Sequence, residues 1–345
     1  MGRRATAQDV ADLAGVSRSS VSLVLNGRAE GNISAAKQQA IIEAAHQLTY
    51  RPNALAMSLR SRRTHTLGVL TWRGGLGLPE ELLHAAWASA TAAGYLLMVM
   101  DTTHDPAHEL RAVTTLLDRQ VDGFLVVAPE LVEYRPLEPM AGTPTVLVNC
   151  IDPDRTVTSI APDELGAASQ AAEILIRRGH RRIGLLTDGA ATLQTRDRVA
   201  GVQAAVLAAD LPAPTLLRAG REVHSGAART REVLLAAQPP TALVCTHERL
   251  ALGAVLAAAE LRVDIPAELS VVSLDDGEML AGDLVPALTT VQRPDRAMGD
   301  QAVRVLVAEL EGDTEPDVRQ LSFVCPANLR ASTGPAPVSA RGEIP

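Results

Sequence analysis

Arg18, Ser19, Ser20 and Ser22 lie close together within TAQDVADLAGVSRSSVSLVLNG, residues 6–27. Hydroxyls and a guanidinium are the donors that meet phosphate oxygens and base edges, so this cluster is suited to reading a nucleic-acid groove if it sits on one short helix. The flanking residues predict such a helix. Thr6 is an N-cap for a helix over Ala7 to Ala14, with Asp9 in its first turn and Val10, Leu13 and Ala14 on an apolar face. Gly15 ends it, Val16 plugs the angle, and Ser17 caps a second helix carrying Val21, Val24 and Leu25 until Asn26-Gly27 stops it. Two helices joined around a glycine describe a helix-turn-helix, whose second helix enters the major groove. A third helix, capped by Ser34 and running to about Leu48, closes the core with Ile41, Ile42, Ala45 and Leu48. The competing reading is an ordinary helical hairpin.

Charge separates this head from the rest. Residues 1–64 hold nine Lys or Arg and four Asp or Glu, net +5, whereas the whole chain of 345 residues carries -8. A basic head on an acidic body is the pattern of a nucleic-acid-binding module joined to a domain with another task. In YRPNALAMSLRSRRTHTLGVL, residues 50–70, Ala54 to Arg60 is barely two turns of helix, too short to persist alone. With Arg60, Arg62 and Arg63 around it and Leu59 near its end, it reads as a helix that forms on DNA and drives an apolar wedge into the minor groove. A basic linker with one buried leucine is the plain alternative.

From Thr66 onward, LGVLTW, YLLMVMD, GFLVVAP, PTVLVNC, RIGLLTD, TALVCTH and LSVVSLDD alternate with Ala-rich helical stretches such as 80–93 and 163–178. That is the βαβ pattern of parallel sheets. The expected fold class is an all-α headpiece and hinge helix followed by an α/β body of two parallel-sheet lobes. The expected domains are 1–50, a hinge at 51–65 and a body at 66–332, with lobes of about 66–160 plus 290–320 and 161–290 plus 321–332. A Pro-, Gly- and Ser-rich tail at 333–345 is expected to be disordered.

Ligands of such sheets bind at the carboxyl ends of strands. Strand ends nominate Trp72, Arg73, Asp101, Asp163, Arg198, His247, Glu248, Asp275 and Arg293.

DVADLAGVSRSSVSLVLNG, YRPNALAMSLR and THTLGVL, followed by RDRVAGV, ALGAV, VVSLDD and LTTVQRP, resemble the LacI/GalR family of bacterial transcriptional repressors through about residue 332. The resemblance implies a headpiece, a hinge helix and a periplasmic-binding-protein-like effector domain, working as a homodimer on double-stranded operator DNA. It carries DNA contacts to Thr6, Ser17, Arg18, Ser19, Ser20, Ser22, Leu23, Asn26, Tyr50, Asn53, Ala56, Leu59 and Arg60. Arg18, Ser19 and Leu23 become the positions that choose the operator, and Leu59 the intercalating leucine. Leu23 departs from the polar or basic residue common there, leaving only apolar contact such as a thymine methyl. RAEGNIS is about two residues longer than usual before the third helix.

In the body, Arg198 matches the arginine that anchors effector hydroxyls, and Asp275 the acidic residue of VVSLDD. His247-Glu248 stands where Asn-Asp is common, and Arg293 where glutamine is usual. TWRGGLGLPE lacks the polar aromatic residues of relatives, although Trp72 offers a stacking face. The effector expected is a sugar or sugar derivative, with a phosphorylated or acidic ligand as the variant that Arg73, Arg198 and Arg293 favour.

Other chemistries find little support. RGGLGLP fits neither dinucleotide nor P-loop spacing. His104, Asp105, His108 and Glu109 have metal-like spacing, but Pro106 marks them as the first turn of a helix. No nucleophile motif occurs, and Cys150, Cys245 and Cys325 form no framework or zinc site, so no cofactor, no metal and no enzyme activity is expected. A solute-binding protein would share the lobes but add an export signal. The expected setting is the reducing cytoplasm, at the nucleoid, with no membrane.

Overall fold

The computed structural model describes residues 5–25, 29, 32–50, 63–72, 80–103, 105–276, 281–312 and 320–338. The chain divides into two compact units, Met1–His65 and Thr66–Pro345.

The first unit holds α1 (Ala7–Ala14), α2 (Arg18–Leu25) and α3 (Ala35–Gln47). Val10, Ala11, Val21, Ile41, Ala44 and Ala45 are its buried centre, with Ala14, Val16, Val24, Leu25, Leu48 and Tyr50 packed around them. Two expected core residues point outward instead: Leu13 is 49% exposed and Ile42 is 42% exposed. Alanines take their places, because helices this short approach closely enough for Ala11 and Ala44 to fill the seam.

The second unit contains two six-stranded sheets. The first comprises β1 (Thr66–Thr71), β2 (Leu96–Asp101), β3 (Gly123–Glu133), β4 (Thr145–Ile151), β5 (Thr158–Pro162) and β11 (Gln320–Phe323), in the order β11-β5-β4-β3-β1-β2. The second comprises β6 (Ile183–Thr187), β7 (Thr215–Arg218), β8 (Ala242–Cys245), β9 (Ser270–Ser273), β10 (Thr289–Val291) and β12 (Ala327–Asn328), in the order β12-β10-β9-β8-β6-β7. All pairings are parallel except β10 with β12. Central strands are buried on both faces, which is why LGVL and ALVC read as unbroken apolar runs.

Helices α4 (Glu80–Ala92), α5 (Pro106–Asp118) and α10 (Asp295–Glu311) flank the first sheet. Helices α6 (Glu164–Ile176), α7 (Leu193–Ala208), α8 (Val223–Leu234) and α9 (Glu248–Leu261) flank the second. They cross through glycines. A Cβ on Gly201 of α7 would strike Leu165 O of α6, one on Gly253 of α9 would strike Val223 O of α8, and one on Gly299 of α10 would strike Leu82 O of α4. Backbone contact this close leaves no room for a side chain.

The chain passes between the lobes three times: after β5, between β10 and α10, and between β11 and β12. Asp163 N donates to Phe323 O at 2.8 Å and Gln292 N to Pro326 O at 2.9 Å, tying the crossings together. The lobe boundaries therefore shift from those expected, because β10 spans residue 290 within the second sheet and β11 carries residues 320–323 into the first. The tail expectation is corrected for residues 333–338, while 339–345 lie outside the described residues. Gly334 N donates to Ser270 Oγ at 3.0 Å, Ala336 N donates to Arg178 O at 2.9 Å, and Thr333 is buried. Asp105 caps α5 by accepting from Ala107 N and His108 N, with Pro106 at its start.

Candidate functional site

At the reading helix, Thr6 and Asp9 form a reciprocal cap: Thr6 N donates to Asp9 Oδ2 at 2.7 Å, and Asp9 N to Thr6 Oγ1 at 3.4 Å. Gly15 takes φ +64 and starts the turn, a conformation that favours glycine. Ser17 Oγ accepts from Ser20 N at 3.1 Å and lies 2.7 Å from Ser19 Oγ. One serine hydroxyl is thus spent on capping. Arg18 and Ser19 are exposed, whereas Ser20, Ser22 and Leu23 are half-buried. Tyr50 packs on the helical core. Asn26, Asn53, Ala56, Leu59, Arg60 and the cleft residue Arg73 lie outside the described residues.

In the body, five nominated side chains converge with several that strand ends did not nominate. Arg198, on α7, is 1% exposed. Its Nε donates to Glu164 Oε2 at 2.6 Å and its Nη2 to Glu164 Oε1 at 3.1 Å, while Nη1 donates to Thr246 O. Gln194 Nε2 also donates to Glu164 Oε1, at 2.7 Å. Burial alone would favour the neutral guanidine, but the Glu164 carboxylate and then Asp275 outweigh it and keep Arg198 charged. Arg293 donates to both oxygens of Asp295 and, at 3.0 Å, to Pro129 O of β3. Glu248 accepts from Ala281 N at 2.9 Å.

A second network lies across the cleft. His247 Nε2 is 3.2 Å from Asp188 Oδ2, and His247 Nδ1 is buried with no partner among the described residues. Arg221 Nε donates to the same Asp188 oxygen at 2.5 Å, and its Nη2 donates to Glu130 Oε2 at 2.5 Å. Burial would raise the Asp188 carboxyl, yet His247, the Ala190 N–H and Arg221 together hold it far below the usual carboxylate range. Glu130 and Pro129 fall where the β3–β4 register shifts between Val127 and Val132, so the irregularity pushes them out of the ladder toward the cleft.

Three nominated side chains are engaged in local contacts. Trp72 is 5% exposed and stacks on Tyr134 with ring centroids 6.3 Å apart, so its face is spent on the first lobe's core. Asp163 caps α6 by accepting from Gly166 N at 2.8 Å. Asp101 ends the outermost strand β2, exposed, and accepts from Thr103 N at 2.9 Å. Glu130, Glu164, Asp188 and Arg221 escaped nomination for separate reasons. Arg221 follows β7, a four-residue strand too short to be read, and Glu164 sits in a helical first turn where an acid is ordinary. Asp188 ends the strand in RIGLLTD and was open to the same strand-end rule as the others.

Beside the networks opens a cavity of about 920 Å³, between Val132 and Glu133 of the first lobe and Thr187, Gly189 to Thr192 and Arg218 of the second. None of Arg198, Glu164, Asp188, Arg221, His247 and Arg293 lines it, so it adjoins the networks and does not enclose them. The site's side chains can bind but offer no activated nucleophile. Burial pushes the Cys325 thiol up to about 12 and the Cys150 and Cys245 thiols higher still. A Ser–His contact does exist, Ser270 Oγ to His180 Nε2 at 3.0 Å, but it is buried under Gly334 at the opposite, amino end of the strands.

Two family models match, Bacterial regulatory proteins, lacI family, over residues 6–53, and a periplasmic binding protein-like domain over residues 172–333. The ribose operon repressor of Escherichia coli K12 is 31% identical over 323 residues, covering 92% of this chain and 95% of its own. The chain belongs to the lacI family of bacterial regulatory proteins. It is accordingly a transcriptional regulator and not an enzyme. The regulator MalR of Streptomyces coelicolor is 30% identical, covering 95% of this chain and 96% of its own. Among solved structures, a lac repressor dimer bound to operator and the anti-inducer ONPF has a TM-score of 0.79 at 24% identity, covering 96% of this chain and 100% of its own, a likeness of fold. A CelR–cellobiose complex has a TM-score of 0.67 at 26% identity, covering 95% of this chain and 100% of its own. No helix among the described residues is long and apolar enough to cross a membrane.

Proposed function

We propose that this regulator is a repressor that binds a two-fold symmetric operator as a homodimer, acts at the nucleoid, and responds to an uncharged sugar or sugar derivative in the cleft between its lobes. The observation that carries it is the pairing, on one chain, of a helix-turn-helix exposing Arg18 and Ser19 with a two-lobed cleft built around buried Arg198. Relatives named for the ribose operon and solved with cellobiose support a carbohydrate ligand. Of the arginines behind the acidic or phosphorylated alternative, Arg198 is matched by Glu164 and Arg293 by Asp295, while Arg73 lies outside the described residues. Neutral hydroxyls need no spare counter-charge. Leu96 and Val99 on outermost β2, with Trp87 on α4 and Leu110 on α5, are all about half-exposed or more and supply an apolar face for the partner subunit.

The test is site selection from a random DNA pool by the full-length protein at stated salt, because phosphate contacts make affinity salt-dependent. A symmetric enriched site supports the reading and provides the probe for a sugar screen; no enrichment defeats it. Arg198→Ala is expected to abolish the ligand response while sparing operator binding. Leu59→Ala is expected to weaken operator binding more than nonspecific binding, and equal losses remove the wedge.

A further inference from the structure

Arg221 follows β7, the strand of the second sheet farthest from β10 and β12, where the chain crosses between lobes. Its guanidinium holds Asp188 in its own lobe and Glu130 in the other. Both arms are charge-assisted, and the fork of an arginine can satisfy two carboxylates at once. The two arms differ in what surrounds them. Asp188, 2% exposed, is also held by His247, by Ala190 N at 3.1 Å and by Thr195 Oγ1 at 3.2 Å, so Arg221 is anchored on that side. Glu130, 13% exposed, makes no other hydrogen bond or ion pair to the second lobe among the described residues, so this arm parts when the lobes separate. Arg293 also reaches β3, through Pro129 O, but from within the crossing itself, two residues after β10, where opening moves it little.

We propose that Arg221 is an interlobe latch, closing the cleft of the ligand-free regulator through its ion pair with Glu130. The inference rests on the reading that closure of this cleft is the motion the effector controls. A ligand then acts on a chain already biased toward the closed form, and the strength of the Arg221–Glu130 pair sets how far ligand can shift it.

The test measures lobe separation in full-length, ligand-free protein, with spin labels on cysteines introduced at exposed Glu138 of the first lobe and exposed His224 of the second. The native cysteines are buried and stay unlabelled. Labelled chains are diluted into excess unlabelled chains, so each dimer reports one intramolecular distance. Without the substitutions one short distance is expected. Glu130→Gln raises the open-to-closed ratio about tenfold, the scale of one lost charge-assisted hydrogen bond, and Glu130→Lys raises it further. Arg221→Lys, which keeps the charge but loses the fork, opens the lobes as well and guards against misfolding of a single variant. An unchanged distance in Glu130→Gln and Arg221→Lys, or an unsubstituted protein already as open as Glu130→Lys, overturns the latch. Failure of the effector reading looks different: the variants open the lobes, yet no sugar alters operator binding by the unsubstituted protein.

Discussion

Replacing Glu164 by glutamine tests the energetics of the cleft directly. Glu164 and Arg198 side chains are 2% and 1% exposed, so neither charge can borrow water when its partner goes. The amide keeps the shape but removes the counter-charge, leaving Arg198 with Asp275 as its remaining close acid. Breaking a buried pair from one side costs about 3–5 kcal/mol. With a urea dependence of about 3 kcal/mol/M for a body of this size, the midpoint of unfolding falls by about 1–1.7 M at constant slope. Replacing both partners, as in Glu164→Leu with Arg198→Met, restores most of that loss, since no buried charge is then stranded. The assay is urea unfolding of full-length protein followed on the Thr66–Pro345 unit. A midpoint shift in Glu164→Gln under ~0.3 M, about 1 kcal/mol by the same slope, or a double variant worse than the single, refutes the claim that the pair is both buried and mutually dependent.

Gly299→Ala puts a Cβ against Leu82 O and is expected to cost about 1–3 kcal/mol in thermal unfolding, whereas Gly282→Ala, which meets nothing, is expected to be near neutral. Thr6→Ala removes half of the reciprocal cap on α1 and is expected to cost the headpiece about 1 kcal/mol, read as weakened operator binding with unchanged unfolding of the larger unit. His180 is held neutral, chiefly by burial, below its unfolded value of about 6.5. The unfolded state binds the proton first as pH falls, so stability is full above the unfolded value and declines as pH drops through about 6.5 toward the folded one. Urea midpoints measured across that window should slope in the native chain and flatten in His180→Gln.

Much of this was legible in the sequence where a residue type has a local job. Thr6, Gly15, Ser17 and Pro106 each fix a cap or turn through their own backbone or hydroxyl, and those elements fall as expected. The buried strands announce themselves because a strand covered on both faces must be apolar at every position. What failed was non-local. Leu13 fits the helical period but faces out, since the partner helices meet on the alanine side. Trp72 stands at a strand end yet turns inward to Tyr134, a residue 62 positions away that no pattern around Trp72 could reveal. Glu130 and Arg221 share that trait, becoming partners only across the two lobes, and Glu164 meets Arg198 only once α6 packs on α7.

The three crossings also bear on how the protein is made. Strand β11, needed to finish the first sheet, and β12, needed to finish the second, both lie beyond residue 319. A polypeptide emerging from the ribosome can form β1 to β4 and β6 to β9 early, but until the last segment is released β5 and β10 remain open edges able to pair with another nascent chain. Neither lobe matures before the other. A message cut short near its end therefore yields two incomplete sheets at once, which favours disposal of the fragment over survival of a half-working regulator that occupies DNA without sensing its ligand.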